Sequence, residues 1–279
     1  MPIKELASED RKKVDPALDK YLPRAGRLAR AMRYSVFAGG KRFRPLLCMA
    51  TAEALGKNSK KVLPIACAIE MIHAFTLIHD DLPALDNSDF RRGKPACHKK
   101  FDEATALLAG DALNALAFEI LAKEIRNPKV TREIGQAVLQ VILGEASDLE
   151  YEKKKASLKV LKSIHKRKTA ALLLACVRSS AIHLGVTAKQ LEALTVYAEC
   201  LGLAFQIADD ILDVTSTRKK LGKPVGADVK KGYPYLVGLE KSRKLAEQEK
   251  NKAIRALKVF GKKADTLREI AEYVDERER

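Results

Sequence analysis

The feature of this chain that most constrains its fold is the recurrence of apolar residues three and four positions apart along nearly all of its 279 residues. That is the period of a helix with a buried face, and the two-residue alternation of β-branched side chains that marks strands is nearly absent. The expectation is an all-α chain. Leu28, Met32 and Val36 share one helix, ended by Gly39-Gly40, and the next helix opens at Pro45 and closes at Gly56. A long apolar helix runs from about Val62 to Asp80, and another from about Ala104 to Ile125, where Asn127-Pro128 stops it. Further helices cover residues 132–153, 158–184 and 187–214, with Gly185 between the last two and a capping box, Thr187 with Gln190, opening the final one. A stretch rich in Lys, Gly and Pro at residues 215–234 precedes two amphipathic helices. With no linker long enough to divide domains and no fixed-period repeat, residues 1–279 are taken as one domain, large enough to bury a core without metal or disulfide staples.

Composition narrows the setting. A net charge of +16 fits nucleic-acid binding, attraction to anionic membrane surfaces, or a site for multiply charged phosphates. Much of the excess is interleaved with Glu, as at residues 241–252, which is the pattern of a solvated helix face. With 5% aromatic residues and no aromatics set among the cations, no nucleic-acid partner is expected. Cys48, Cys67, Cys97, Cys176 and Cys200 form no C-x-x-C pair, so neither a zinc site nor a disulfide framework is indicated, and a reducing cytoplasm fits. The N-terminal MPIKELASEDRKK lacks the apolar core of a signal peptide. The longest purely apolar run, residues 170–177, is far short of the ~20 that span a bilayer, so no transmembrane helix is expected.

Two aspartate-rich stretches each end a long apolar helix. In IADDILD, Asp209 and Asp213 are four apart, so a helix projects both from one face with Asp210 beside them. Carboxylates so placed need cations, and magnesium suits one or two carboxylates completed by water and phosphate oxygens. One such stretch by itself is as readily an acidic helix end meeting solvent. In DDLPALD, Asp86 lies six residues from Asp80, about 120° off its helical face. Pro83 disfavours helical geometry at Leu82, so a bend there is expected to bring Asp86 back toward Asp80. Arg91-Arg92-Gly93-Lys94 follows directly, and metal-type carboxylates beside arginines suggest diphosphate binding. Lys41 and Arg44 between two helices, with Lys168-Thr169 and Lys223, supply more cations; each alone is more ordinarily a solvated surface residue.

Five ordered segments, GGKRFRP (39–45), LIHDDLPALDNSDFRRGKP (77–95), LLAGDAL (107–113), IHKRKT (164–169) and FQIADDILD (205–213), closely resemble the trans-type isoprenyl diphosphate synthases, the polyprenyl synthetase family, and most of all its bacterial farnesyl and geranylgeranyl diphosphate synthase branch. The resemblance runs from about Asp15 to the C-terminus. It implies a bundle of about ten or more helices around a central substrate cavity, acting as a magnesium-dependent prenyltransferase on isopentenyl diphosphate and allylic C5 and C10 diphosphates. Residue by residue, it implies that Asp80, Asp86 and Asp209 hold magnesium ions, three per site, with Asp81, Asp210 and Asp213 supporting. Arg91, Lys168, Thr169, Gln206 and Lys223 would complete the allylic diphosphate site. Lys41, Arg44, His73 and Arg92 would hold isopentenyl diphosphate. His73, taken alone in an apolar helix, is more often a core histidine. The implied reaction ionises the allylic carbon–oxygen bond, the homoallylic alkene attacks the cation, and a proton is lost to the released diphosphate, so no side-chain base is assigned. A homodimer is the family default.

Phe75 lies five residues before Asp80, ~7.5 Å down the same helix, where it would floor the pocket for the growing tail. In similar synthases an aromatic here stops elongation near C15, so farnesyl diphosphate is the expected product, with geranylgeranyl diphosphate the alternative; an ordinary core phenylalanine is the competing explanation. The chain departs from the family in two places. LGEASDL (143–149) has Glu145 where Gln is usual, and the segment from Asp228 to Tyr233-Pro234 is short, lacking G-K-x-T-Y-P, with Lys230 or Lys231 available in place of its lysine. Three other classes compete. A terpene cyclase would lack the second aspartate stretch and GGKRFRP, a silent regulatory subunit would have lost aspartates, and a nucleic-acid binder would show affinity falling steeply with salt and indifferent to magnesium.

Overall fold

The computed structural model describes residues 3–151, 154, 156–215 and 232–276. Its elements in chain order are α1 (Ile3–Tyr21), α2 (Arg27–Val36), α3 (Phe43–Ala54), a short 3-10 turn (Ser59–Val62), α4 (Leu63–Asp80), the two-residue strands β1 (Phe90–Arg91) and β2 (Lys94–Pro95), α5 (Cys97–Lys100), α6 (Glu103–Ile120), α7 (Pro128–Glu150), α8 (Leu158–His165), α9 (Ala171–Leu184), α10 (Ala188–Thr215), α11 (Tyr233–Val237), α12 (Leu239–Ala256) and α13 (Asp265–Glu276). π-helical turns join α6 to the following loop (Leu121–Ile125) and α8 to α9 (Lys166–Ala170), and a 3-10 stretch (Leu257–Ala264) joins α12 to α13.

Helix α4 is apolar around most of its circumference because it has no solvent face over most of its length. Ile65, Ile69, Met71 and Ile72 are fully buried, and α4 packs against α3, α6 and α9. Each such side chain contributes ~1.5–3 kcal/mol by leaving water. The main core draws residues from Val14 in α1 to Val274 in α13. A smaller cluster of Leu161, Leu203, Ile207, Ile211, Tyr233 and Ala246 closes the bundle around the aspartate end of α10.

The expected helices fall where their punctuation placed them. Thr187 and Gln190 form the reciprocal cap, Gln190 N–H donating to Thr187 Oγ1 at 3.3 Å and Thr187 N–H to Gln190 Oε1 at 3.1 Å. Helix α7 begins at Pro128 rather than near residue 132, because Asn127 caps it by accepting from Lys129 N–H at 3.1 Å, and Pro at the first helical position needs no donor. Helix α1 carried no clear expectation, since its sequence is highly charged; among its residues of described burial, Val14 and Leu18 are fully buried and Ala17 and Tyr21 pack against the core. The hairpin β1–β2 was also missed: it is two residues a side, turned through Arg92 and Gly93 at positive φ. Run length alone understates how apolar the helices are. Three helical stretches, Ser59–Asp80, Glu103–Ile125 and Ala188–Thr215, are long and apolar enough to cross a membrane by length and composition, and 67% of the first one's apolar window is buried inside the bundle.

Candidate active site

The two aspartate stretches end α4 and lie near the C-terminus of α10. After Asp80 the helix stops, and the chain doubles back so that Asp86 N–H donates to the Asp80 carbonyl at 2.9 Å and Ser88 N–H to that of Asp81 at 3.1 Å. Asn87 adopts a positive φ to complete the turn. This is the fold-back expected from Pro83, and it returns Asp86, exposed, to the half-buried Asp80. Burial, then the charges of Glu145 and Asp86, push the Asp80 carboxyl up to about 7 against the opposing pull of Lys168 and Arg91. A carboxylate so raised is one that a divalent cation would stabilise.

The hairpin sends its two arginines in different directions. Arg91 Nε donates to Asp81 at 2.9 and 3.2 Å and Nη2 bonds the same carboxylate, so the buried Asp81 is committed to an ion pair. Arg92 reaches instead to the carbonyl of Gly39 and stands 3.5 Å from His73 Nε2. Burial and the cations Arg44 and Arg92 hold the His73 imidazole well below its usual range, so it is neutral at pH 7. Among the described residues, the buried Nε of Arg44 has no hydrogen-bond partner, which leaves a donor for an anion. A cleft beside α2 and α4 is lined by Tyr34, Glu70, His73, Asp81, Arg91 and Arg92. Lys41, expected in this cluster, donates to Tyr273 of α13 at 2.6 Å with its ammonium over the ring.

On the other side, Lys168 and Thr169 sit on the π-turn between α8 and α9, and this turn is held tightly from both sides. A Cβ on Gly144 of α7 would stand 2.5 Å from the backbone nitrogen of Lys168, and one on Gly202 of α10 would stand 2.5 Å from Ala170 Cβ. Both helices therefore approach the turn only because they have no side chain there. π-turns within helices recur at functional sites because they re-aim side chains. Lys168 Nζ lies 2.7 Å from Glu145 Oε2 and 2.9 Å from Asp148 Oδ2. Burial opposes its charge, but the two carboxylates outweigh burial and hold the ammonium well above its usual value. Thr169 donates to Gln206 Oε1 at 2.6 Å, and Gln206 in turn to Asp210 at 3.3 Å. Asp210 also accepts from Tyr233 N–H at 2.9 Å, which anchors α11. Asp210 and Asp213 are buried and Asp209 is partly open, so the member of this stretch most accessible to a ligand is the one expected to hold metal.

The fold thus joins Asp80 through Glu145 and Lys168 to Thr169, Gln206 and Asp210. Arg44, His73 and Arg92 form a second cluster across α4. Lys223, Lys230, Lys231 and residues 228–231 of the shortened segment lie outside the described residues. Phe75 is 7% exposed, its ring edge-on to His79 at 5.2 Å, one and a half turns below Asp80. Among the described residues, no three carboxylate, His or Cys side chains close around one point as a metal cage. The donor set fits ions that each take one or two carboxylates and fill the remaining positions with water and phosphate oxygen.

Three residues went unremarked. Asp148 is i+3 from Glu145 on the same helix face and shares Lys168 with it. His165, 3.8 Å from Asp210 Oδ2, is lowered to about 4 by burial, so it stands neutral between the aspartate and the lysine. Glu70 pairs with buried Arg42 at 2.9 Å beneath the second cluster. The i, i+3 spacing of Glu145 and Asp148 is visible in sequence; the other two pairings join distant segments and carry no local signal.

The polyprenyl synthetase family model matches residues 25–275. Farnesyl diphosphate synthase of Geobacillus stearothermophilus is 43% identical over 255 residues, 86% of each chain. Geranylgeranyl pyrophosphate synthase 11 of Arabidopsis thaliana is 46% identical over 261 residues, 88% of this chain and 73% of the relative. The structure is also similar to that of an FPP/GFPP synthase from Zymomonas mobilis, with a TM-score of 0.86 and 38% identity over 98% of both chains. With the family model spanning nearly the whole chain, and relatives of 43–46% identity over most of its length, this chain belongs to the polyprenyl synthetase family and is a short-chain prenyltransferase.

Proposed function

We propose that the chain condenses isopentenyl diphosphate with C5 and C10 allylic diphosphates in a magnesium-dependent reaction whose main product is C15. The observation that carries this reading is the divergence of adjacent arginines: Arg91 faces the Asp80–Asp81 side and Arg92 faces His73 and Arg44. That is the arrangement needed to hold two diphosphates side by side, one among carboxylates that take metal and one among cations alone.

Asp80 and Asp86 on one stretch and Asp209 on the other would hold the magnesium. Bound there, the metal would neutralise the allylic diphosphate and ease its departure. Lys168 and Arg91 supply fixed positive charge where the leaving group develops negative charge. Neutral His73 with Arg44 and Arg92 orients the isopentenyl diphosphate so that its alkene meets the allylic carbon. The apolar wall of α4 keeps water from the carbocation. Phe75, one and a half turns below Asp80, favours C15; the geranylgeranyl synthase relatives at up to 46% identity favour C20 as the second reading. Exposed Leu107 and Leu108 on α6 and Leu139, Ile142 and Leu143 on α7 support a homodimer paired through these helices, and the five free cysteines fit a reducing cytoplasm.

The test is incubation with isopentenyl diphosphate and each of the C5, C10 and C15 allylic diphosphates, with and without magnesium, followed by product sizing. C15 should accumulate from C5 and C10, and only with magnesium. Efficient extension of C15 would move the assignment to C20, and no condensation under any condition would overturn the enzymatic reading.

A further inference from the structure

We infer that Glu145 is a positioning residue that, with Asp148, keeps Lys168 occupied until diphosphate arrives with metal, so the allylic pocket favours metal-loaded diphosphate over the bare anion. This rests on the pocket being the allylic site, as proposed above.

The argument begins with protons and charges. Lys168 donates one ammonium proton to Asp148 Oδ2 at 2.9 Å, and the same ammonium is ion-paired with Glu145 Oε2 at 2.7 Å. Both carboxylates come from one face of α7, and Gly144 lets that face come against the turn bearing Lys168. The side chains are partly buried, Glu145 at 14% exposure and Lys168 at 30%, so water screens the trio weakly. With Glu at 145 this group carries one more negative charge than it would with the Gln usual in the family. An amide oxygen would still accept from Lys168, so the difference made by Glu is charge rather than geometry.

That charge also acts on Asp80, on the metal side of the pocket. Among the charges acting on Asp80, Glu145 has the largest effect, ahead of the sequence neighbour Asp86. The other cation near Asp80, Arg91, already has its charge offset in part by Asp81. His165, close to Lys168, is neutral at pH 7. A bare diphosphate entering here meets Asp80, Asp86 and the surplus charge of Glu145, and must draw Lys168 away from two carboxylates to gain one bond. A metal-loaded diphosphate brings its own positive charge, which Glu145 attracts.

The test measures binding of inorganic diphosphate by calorimetry, in EDTA and in saturating magnesium, to the wild type, Glu145→Gln, Lys168→Met and the double variant. Glu145→Gln should bind bare diphosphate at least about tenfold more tightly than wild type, equivalent to ~1.4 kcal/mol. The gain should fall below about threefold in magnesium and vanish in the Lys168→Met background. The allylic KM of Glu145→Gln should drop at limiting magnesium while the isopentenyl KM stays unchanged. Bare diphosphate bound no more tightly by Glu145→Gln would overturn the inference, as would a gain that persists without Lys168. Weaker magnesium-diphosphate binding by Glu145→Gln would show Glu145 to be a metal ligand instead. If the wild type binds diphosphate in neither condition, what falls is the reading of the pocket itself.

Discussion

Removing the charge of Asp80 should stabilise the metal-free protein. The Asp80 carboxyl stands at about 7 in the folded chain, raised by burial and by Glu145 and Asp86, against an ordinary value of about 4. A carboxyl whose folded value is raised binds its proton more tightly folded than unfolded, so its contribution to stability falls as pH rises from about 4 to about 7. The slope is ~1.4 kcal/mol per pH unit, and the full difference of about three units corresponds to ~4 kcal/mol above pH 7. That is an upper figure, because part of the carboxyl faces solvent. Half of it, ~2 kcal/mol, would move the melting temperature by ~4–8 °C in a chain of this size. Thermal unfolding in EDTA should therefore place Asp80→Asn above the wild type at pH 8, with less than half that gap at pH 5. Magnesium should narrow the gap by stabilising the wild type while leaving the variant nearly unmoved, since binding to the folded state alone raises stability. A variant melting at or below the wild type at pH 8 without metal, or a gap independent of pH, would refute the reasoning that Asp80 is a repelled carboxylate awaiting a cation.

Three further perturbations test other parts of the argument. Phe75→Ala should shift the product from C15 toward C20 or longer by chromatography, and an unchanged distribution would make Phe75 an ordinary core residue. Arg91→Met should destabilise the fold by ~3–5 kcal/mol in denaturant titration, because Asp81, 2% exposed, loses its partner. Adding Asp81→Asn should recover most of that stability without restoring the allylic KM; recovery of both would mean that Arg91 serves only the ion pair. Gly202→Ala puts a methyl group 2.5 Å from Ala170 Cβ and should cost ~1–3 kcal/mol by thermal melting while raising the allylic KM, because the turn carrying Lys168 and Thr169 must shift.

The helices were legible because their signals are local. The three-and-four spacing, the Thr187–Gln190 cap and the Asn127-Pro128 stop act within one or two turns, and each is found where it was expected. The fold-back at Pro83 was legible for the same reason, since the return of Asp86 to Asp80 spans six residues. Helix α1 was harder to see, because a helix that gives the core only a few apolar side chains looks like a solvated segment. The hairpin was harder still: two residues a side are too few to show alternation.

By itself, then, the sequence determined the all-helical class, the helix boundaries near the site and the identities of the two aspartate stretches, because propensity, capping and turn chemistry are written over short distances. Only the tertiary structure decided how the charges pair. Asp81 is given to Arg91, Arg92 is turned to His73, Lys41 is drawn to Tyr273, and Lys168 is held by Glu145 and Asp148. Such pairings depend on which helices the core brings together and on close approaches such as those at Gly144 and Gly202. Electrostatic energy follows distance in space, which residue spacing along the chain does not encode.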